Sequence, residues 1–163
     1  MILHGLIFNL DKIMKKQLLQ KSDFIYFKKI ESRWGDMDGL RHINNAKYLT
    51  YFETARLEYL STLGIDINRW DSKESVILAS MKIDYHQQSS YPNIYEIGCR
   101  ISRIGNKSFD IFNALFESSN TAPIVTGTFT IVCFNYHSQE TITVPDSIKN
   151  AYHHICRENK FNR

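Results

Sequence analysis

The sequence predicts an α+β fold in which one long helix lies across one curled antiparallel sheet. Three observations carry that expectation. Residues 45–63 repeat apolar side chains at spacings of three and four, which is one face of a 3.6-residue period. One strand-like run precedes this stretch and four follow it. The four are joined by short turn-like segments, as in an antiparallel meander. A helix and a sheet of this kind each bury one face against the other. At 163 residues the chain is read as one domain, and a hydrophobic content of 43% is enough for a core.

The elements follow in order. Met1 to Leu10 is apolar but has neither the basic start nor the small-residue cleavage site of a secretory signal. It is also too short to span a membrane. Residues 1–22 are read as an N-terminal extension, with Met14, before Lys15-Lys16, as an alternative initiator, and 23–163 as the domain. Phe24 to Trp34 reads as the first strand, six aromatic or aliphatic residues broken by charges. The long helix carries Tyr48, Leu49, Phe52, Ala55, Tyr59, Leu60 and Leu63 on its inner face, and Gly64 stands where a helix stop belongs.

Four strands are then expected, at Val76 to His86, Ile94 to Ile104, Lys107 to Glu117 and Ile124 to Tyr136. Their turns are Ser89 to Asn93, the Gly105-Asn106 hairpin signal, and Ser118 to Pro123. The last two strands are apolar on both faces, which fits a second buried surface. Val144 to Ser147 opens a short C-terminal helix with Ile148, Ala151, Tyr152 and Ile155 inside.

Composition excludes several classes. The net charge is +3 and the basic residues are scattered, so no nucleic-acid footprint is present. Three widely spaced cysteines, Cys99, Cys133 and Cys156, argue against a disulfide framework or a zinc site and for a reducing, cytoplasmic setting. There is no G-x-S-x-G, no P-loop, no dinucleotide fingerprint and no metal-ligand spacing, so neither cofactor nor metal is expected.

The chemistry-bearing stretch is Arg33 to Leu60. Between Gly35 and Asn45 it packs two aspartates, a histidine and two asparagines into a segment suited to turns and caps. This polar loop runs into the positive end of the long helix, a place where negative charge developing on a substrate oxygen is stabilised.

G-D-M-D, H-I-N-N-A-K-Y-L and Y-F-E-T-A-R together resemble the signature of the 4-hydroxybenzoyl-CoA thioesterase family, the acyl-CoA thioesterases of the hot-dog fold. The resemblance implies a five-stranded antiparallel sheet wrapped around one central helix, plus the short C-terminal helix. It also implies a homodimer, or a homotetramer, formed by joining sheets side by side, with the active site between subunits. The substrate it implies is a fatty-acyl or aryl coenzyme A thioester, or an acyl group on a carrier protein.

Residue roles come over by position. Asp38 matches the catalytic carboxylate; such a group attacks the thioester carbonyl to form an anhydride, or deprotonates the attacking water. Either route passes through an oxyanion, and a missing donor to it costs about 3–4 kcal/mol. Without the resemblance Asp38 is also a plain turn residue. Asp36 matches the supporting aspartate, equally readable as a loop-organising acceptor, and two carboxylates so close raise one pKa. His42 matches a histidine that meets the loop or the substrate. Asn44 and Asn45 are natural helix caps; a related subgroup has histidine at Asn45, and an amide cannot replace it in proton transfer. Glu53 is the rival carboxylate, because some hot-dog thioesterases use one on the helix; its plain reading is an ion pair with Arg56. Lys107 and Arg103 fall where relatives hold the phosphates of coenzyme A, and Ser75 aligns loosely with a glycine that polarises the carbonyl.

Two other functions stay open. A hot-dog dehydratase or hydratase uses a histidine followed by Phe-Pro, whereas this chain has His42-Ile43-Asn44. A non-catalytic acyl-binding module would have no need of Asp38.

Overall fold

The structure, a computed structural model, describes residues 19–65 and 72–158. Strand β1 (Tyr26–Glu31) leads into helix α1 (Asn45–Thr62). Strands β2 (Ser75–Tyr85), β3 (Ile94–Ile104), β4 (Ser108–Glu117), β5 (Pro123–Asn135) and β6 (Glu140–Thr141) follow, and helix α2 (Asp146–Glu158) ends the described chain. The sheet order is β1-β3-β4-β5-β2, antiparallel throughout, with β6 on β5. This is the hot-dog arrangement.

The sheet has six strands rather than five. After β5 the Asn135 side chain accepts from the backbone N–H of His137 and Ser138, Gln139 takes a positive φ, and the chain returns to pair Thr141 with Phe134. A two-residue strand has no periodicity to betray it. The first strand is shorter than expected, because the chain turns into a short 3₁₀ segment at Trp34–Asp36.

Helix α1 is capped by Asn44, whose Oδ1 accepts from the Ala46 N–H at 2.9 Å. It ends at Gly64, whose φ of 82° suits glycine. Tyr48, Tyr51, Phe52, Ala55, Tyr59 and Leu60 are buried, while Leu49 and Leu63 are only half-buried. Arg56 is the unexpected core member, with its guanidinium 3.8 Å from the Phe129 ring centroid. Burial pushes its pKa down to about 10, against the upward pull of the Glu53 charge. α1 packs chiefly on β3, β1 and β4, meeting Tyr95, Ile97 and Cys99. Each such side chain contributes roughly 1.5–3 kcal/mol. α2 adds Ile148 to the same core, with Ala151 and Tyr152 half-buried against it; Ile155, also expected inside, lies outside the described side chains.

The other sheet face carries a smaller cluster. The Phe24 ring lies on Gly98, where an added Cβ would come within 2.5 Å of the ring, and Ala114, Phe116 and Leu19 complete it. Lys21 also reaches Glu96 at 2.7 Å. The second apolar face of β4 is therefore covered by the chain's own N-terminal segment. The uncovered apolar surface lies instead on β2, where Ile77, Leu78, Met81 and Tyr85 are exposed. β2 is one edge of the sheet, and α1 leans towards the other, β1.

Candidate active site

The loop between β1 and α1 is held by its own polar groups. The Arg33 N–H donates to Asp36 Oδ2 at 2.8 Å, and the Asn44 N–H donates to the Asp36 carbonyl at 2.9 Å. A bridge joins Met37 to Ile43. One turn further in, Asp38 Oδ1 accepts from the N–H of Leu40 at 2.8 Å and of His42 at 3.3 Å. Arg41 sits at φ 65°, the left-handed region that so tight a turn requires.

The two aspartates diverge. Asp36 is buried; Tyr51 donates to its Oδ2 at 2.5 Å, and Lys47 Nζ lies 3.5 Å from its Oδ1. Burial alone would raise its pKa, but the hydrogen bonds from Tyr51 and Arg33 and the Lys47 charge outweigh that, and the carboxyl is held below its usual value. Asp38 instead lines a cavity of about 470 Å³ with His42, Ile43, Asn45, Tyr48 and Tyr85, closed by residues 86–89. Among the described residues its Oδ2, the His42 ring and the Asn45 Nδ2 have no hydrogen-bond partner. These three polar groups are free to meet a ligand.

The structure thus brings Asp38, His42 and Asn45 together at the N-terminal end of α1. It adds Tyr48 and Tyr85, which the sequence reading counted only as helix and strand residues. Their rings meet edge to face at 5.9 Å. Burial pushes the Tyr48 phenol well above its ordinary pKa, with smaller upward contributions from neighbouring acids and phenols, so it keeps its proton. The 86–89 loop is tied to the signature loop by the Ile43 N–H donating to the Ser89 carbonyl at 2.8 Å. Only the strand order, with the end of β2 beside the start of α1, puts Tyr85 in the site; no local motif marks it.

Four other candidates lie elsewhere. Glu53 is exposed, eight residues along α1 from Asn45, or about 12 Å at the helical rise. It makes no ion pair with Arg56. Arg103 is occupied by Asp110, through Nε–Oδ2 at 2.6 Å and Nη2–Oδ1 at 2.8 Å. Lys107 donates to Thr141 at 3.0 Å. Its carbonyl accepts from Cys133, whereas Tyr85 pairs with Val125. The eight-residue separation along β5 amounts to about 27 Å, so Lys107 and Asp38 occupy opposite ends of one subunit. Ser75 also lies at the far end, opposite Phe134. No group of metal-ligating side chains exists among the described residues, and no described helix is long and apolar enough to cross a membrane.

Comparison with known proteins gives the family. The family model described as the thioesterase-like superfamily matches residues 32–152, and the chain belongs to that superfamily. An uncharacterised Bacillus subtilis protein, YsmA, is 26% identical over 135 residues, covering 82% of this chain and 89% of its own. The acyl-CoA thioesterase YbgC of Haemophilus influenzae is 24% identical over 125 residues, covering 74% and 88%. Among solved structures, the PA5185 protein of Pseudomonas aeruginosa superposes with a TM-score of 0.75 at 28% identity, covering 83% of this chain and 94% of its own. The superfamily is broader than the 4-hydroxybenzoyl-CoA thioesterase family that the motifs resemble.

Proposed function

We propose that this chain hydrolyses the thioester of an acyl-coenzyme A, with Asp38 as the catalytic carboxylate. The observation that carries the reading is the Asp38 carboxylate, held by Oδ1 in its own turn, with no hydrogen bond to Oδ2 among the described residues, and lining a cavity at the positive end of α1. The Haemophilus relative, an acyl-CoA thioesterase, supports the same class of substrate.

In one route Asp38 adds to the thioester carbonyl carbon, the C–S bond breaks, and coenzyme A leaves as thiolate. Water then opens the mixed anhydride, releasing the acid and restoring the carboxylate. In the other route Asp38 takes a proton from water as the water attacks the carbonyl, and the thiolate leaves with that proton. Both routes form an oxyanion, and the start of α1, the Asn45 amide and the Tyr48 hydroxyl are the donors at hand. Asn45 donates but moves no proton. His42 positions the substrate. Asp36 fixes the loop that carries Asp38.

The proposed working unit is a homodimer, or two dimers paired as a tetramer, joined along the exposed β2 edge. Two-fold pairing of antiparallel β2 strands carries the far end of one subunit to the cavity end of the other. Two described cysteines, Cys99 and Cys133, are free thiols, in keeping with the cytoplasm.

The test is a thiol-release screen across acyl-CoA chain lengths and aryl-CoAs, run on wild type and Asp38→Asn. Turnover of at least one class that collapses in the variant supports the reading. Tight acyl-CoA binding with no thiol released from any substrate makes the protein a binding module instead.

A further inference from the structure

A second cleft shares a wall with the Asp38 cavity. It has a volume of about 670 Å³ and is lined by residues 19–22, His86, Gln87 and residues 121–123. His86 and Gln87 also line the Asp38 cavity, so these two residues form a partition between the spaces. The partition is lightly held. The N–H groups of His86 and Gln87 share one acceptor, the Ile124 carbonyl, at 2.8 and 3.1 Å. The His86 ring meets Thr126 at 2.8 Å, and Gln87 Nε2 donates to the Pro123 carbonyl at 3.4 Å. The opposite wall, residues 19–22, lies outside the family match, which starts at residue 32.

This cleft offers apolar contact more than directional bonds. Leu19, Ala122 and Pro123 supply its apolar wall. Three of its polar groups are spent: Lys21 Nζ on Glu96 at 2.7 Å, His86 Nε2 on Thr126 and Gln87 Nε2 on Pro123. A small-molecule site orients its ligand with a few convergent polar groups. A peptide already tethered at the rim has less need of them, because a short tether holds it at an effective concentration on the order of millimolar. The sequence contains such a peptide. Eighteen residues precede Leu19, and the nearest six, Ile13 to Leu18, read I-M-K-K-Q-L. Their attachment point is anchored, since Leu19 packs against the Phe24, Ala114 and Phe116 cluster. Six residues reach at most about 20 Å, more than the width of a cleft of this volume.

We propose that the segment Ile13 to Leu18 folds back into this cleft, with Ile13, Met14 and Leu18 on its apolar wall, and so braces the His86–Gln87 partition of the Asp38 cavity. The extension is then a built-in support of the candidate active site, added by this chain to the family's fold. It acts by packing behind the cavity wall, without touching a substrate. Such a brace serves a hydrolase and a binding module alike.

Two measurements on the full chain, both without substrate, test this. In a Cys156→Ser background, the pair Met14→Cys/Ala122→Cys is treated with oxidised glutathione; Cys99 and Cys133 are buried and do not compete. A disulfide should form within one chain, because docking brings the two Cα atoms within the roughly 7 Å that such a bond allows. The pair Met14→Cys/Ser147→Cys, with Ser147 exposed at the start of α2, should stay reduced. In the second measurement, Met14→Asp/Leu18→Asp should speed amide hydrogen exchange at residues 86–88 by about tenfold while the amides of β4 keep their protection. Unchanged exchange at residues 86–88 overturns the brace. No cross-link at Ala122, a cross-link between two chains, or one that forms as readily at Ser147 overturns the docking. So does a wild-type chain that binds anionic phospholipid vesicles through these residues, with the Ala122 cross-link lost in their presence, which would make the segment a membrane contact. Neither measurement reads turnover, so a failed brace and a failed hydrolase give different results.

Discussion

Asp36 and Asp38 stand two residues apart on one loop, and the fold gives them opposite surroundings. The Asp36 carboxylate is sealed under Tyr51 and fed by a backbone N–H and a lysine. The Asp38 carboxylate uses one oxygen to close its own turn, leaves the other without a hydrogen bond among the described residues, and lines a cavity. The Met37–Ile43 bridge between them turns the chain so that neighbouring acids face different elements. The comparison teaches that a fully satisfied carboxylate is spent on architecture, and that only a partly satisfied one is left for chemistry.

The largest expected effect separates the two directly. Asp38→Asn should lower hydrolysis by two or more orders of magnitude, equivalent to about 2.7 kcal/mol or more of transition-state stabilisation, while melting temperature stays close to wild type. Activity within a few-fold of wild type would move the assignment to Glu53. Asp36→Ala should do the reverse in kind, costing about 2–3 kcal/mol of stability because the Tyr51 hydroxyl loses its charged acceptor. Chemical denaturation measures it, and a loss below about 0.5 kcal/mol would mean that the buried bond is not holding the loop.

The pH dependence sharpens the same contrast. The folded Asp36 carboxyl lies below its unfolded value of about 3.9, so its stabilisation is complete above that pH and disappears as pH falls through the folded value. The stability gap between wild type and Asp36→Asn should therefore be flat from pH 6 to 8 and close below about pH 4. A gap that widens in acid has the wrong sign for this account. The smallest effect is expected at His42. If its ring positions substrate, His42→Gln should cost about tenfold in kcat/KM, the scale of one hydrogen bond. A fall as large as that of Asp38→Asn would make it a proton-transfer group.

Much of this was legible in the chain. The period of three and four from Tyr48 to Leu60 located α1, and Asn44 and Gly64 marked its ends, because caps and stops act locally. Alternation located β3 to the residue. Gly35 to Asn45 announced a polar loop ahead of α1, and one stands there. What stayed hidden depends on contacts between distant residues. Arg56 reads as a surface cation until Phe129 is set beneath it. Tyr85 becomes part of the cavity only because β2 ends beside the start of α1. The second face of β4 looked like an interface, since nothing local shows Phe24 folding back over Gly98. Lys107 lies at the end of its own subunit away from Asp38, so a role for it at that site needs a second subunit.

The open edge of β2 has a further consequence for how the protein can be inhibited. Eleven residues of strand present unpaired backbone donors and acceptors beside Met81 and Tyr85, and Tyr85 is itself a wall of the Asp38 cavity. A short extended peptide that adds to this edge would use main-chain hydrogen bonds for affinity and every second side chain for selectivity. Such a peptide would compete with the second copy of the proposed dimer and lie beside the cavity wall. Its potency would then fall as protein concentration rises, a dependence that a competitor of the acyl group alone does not show.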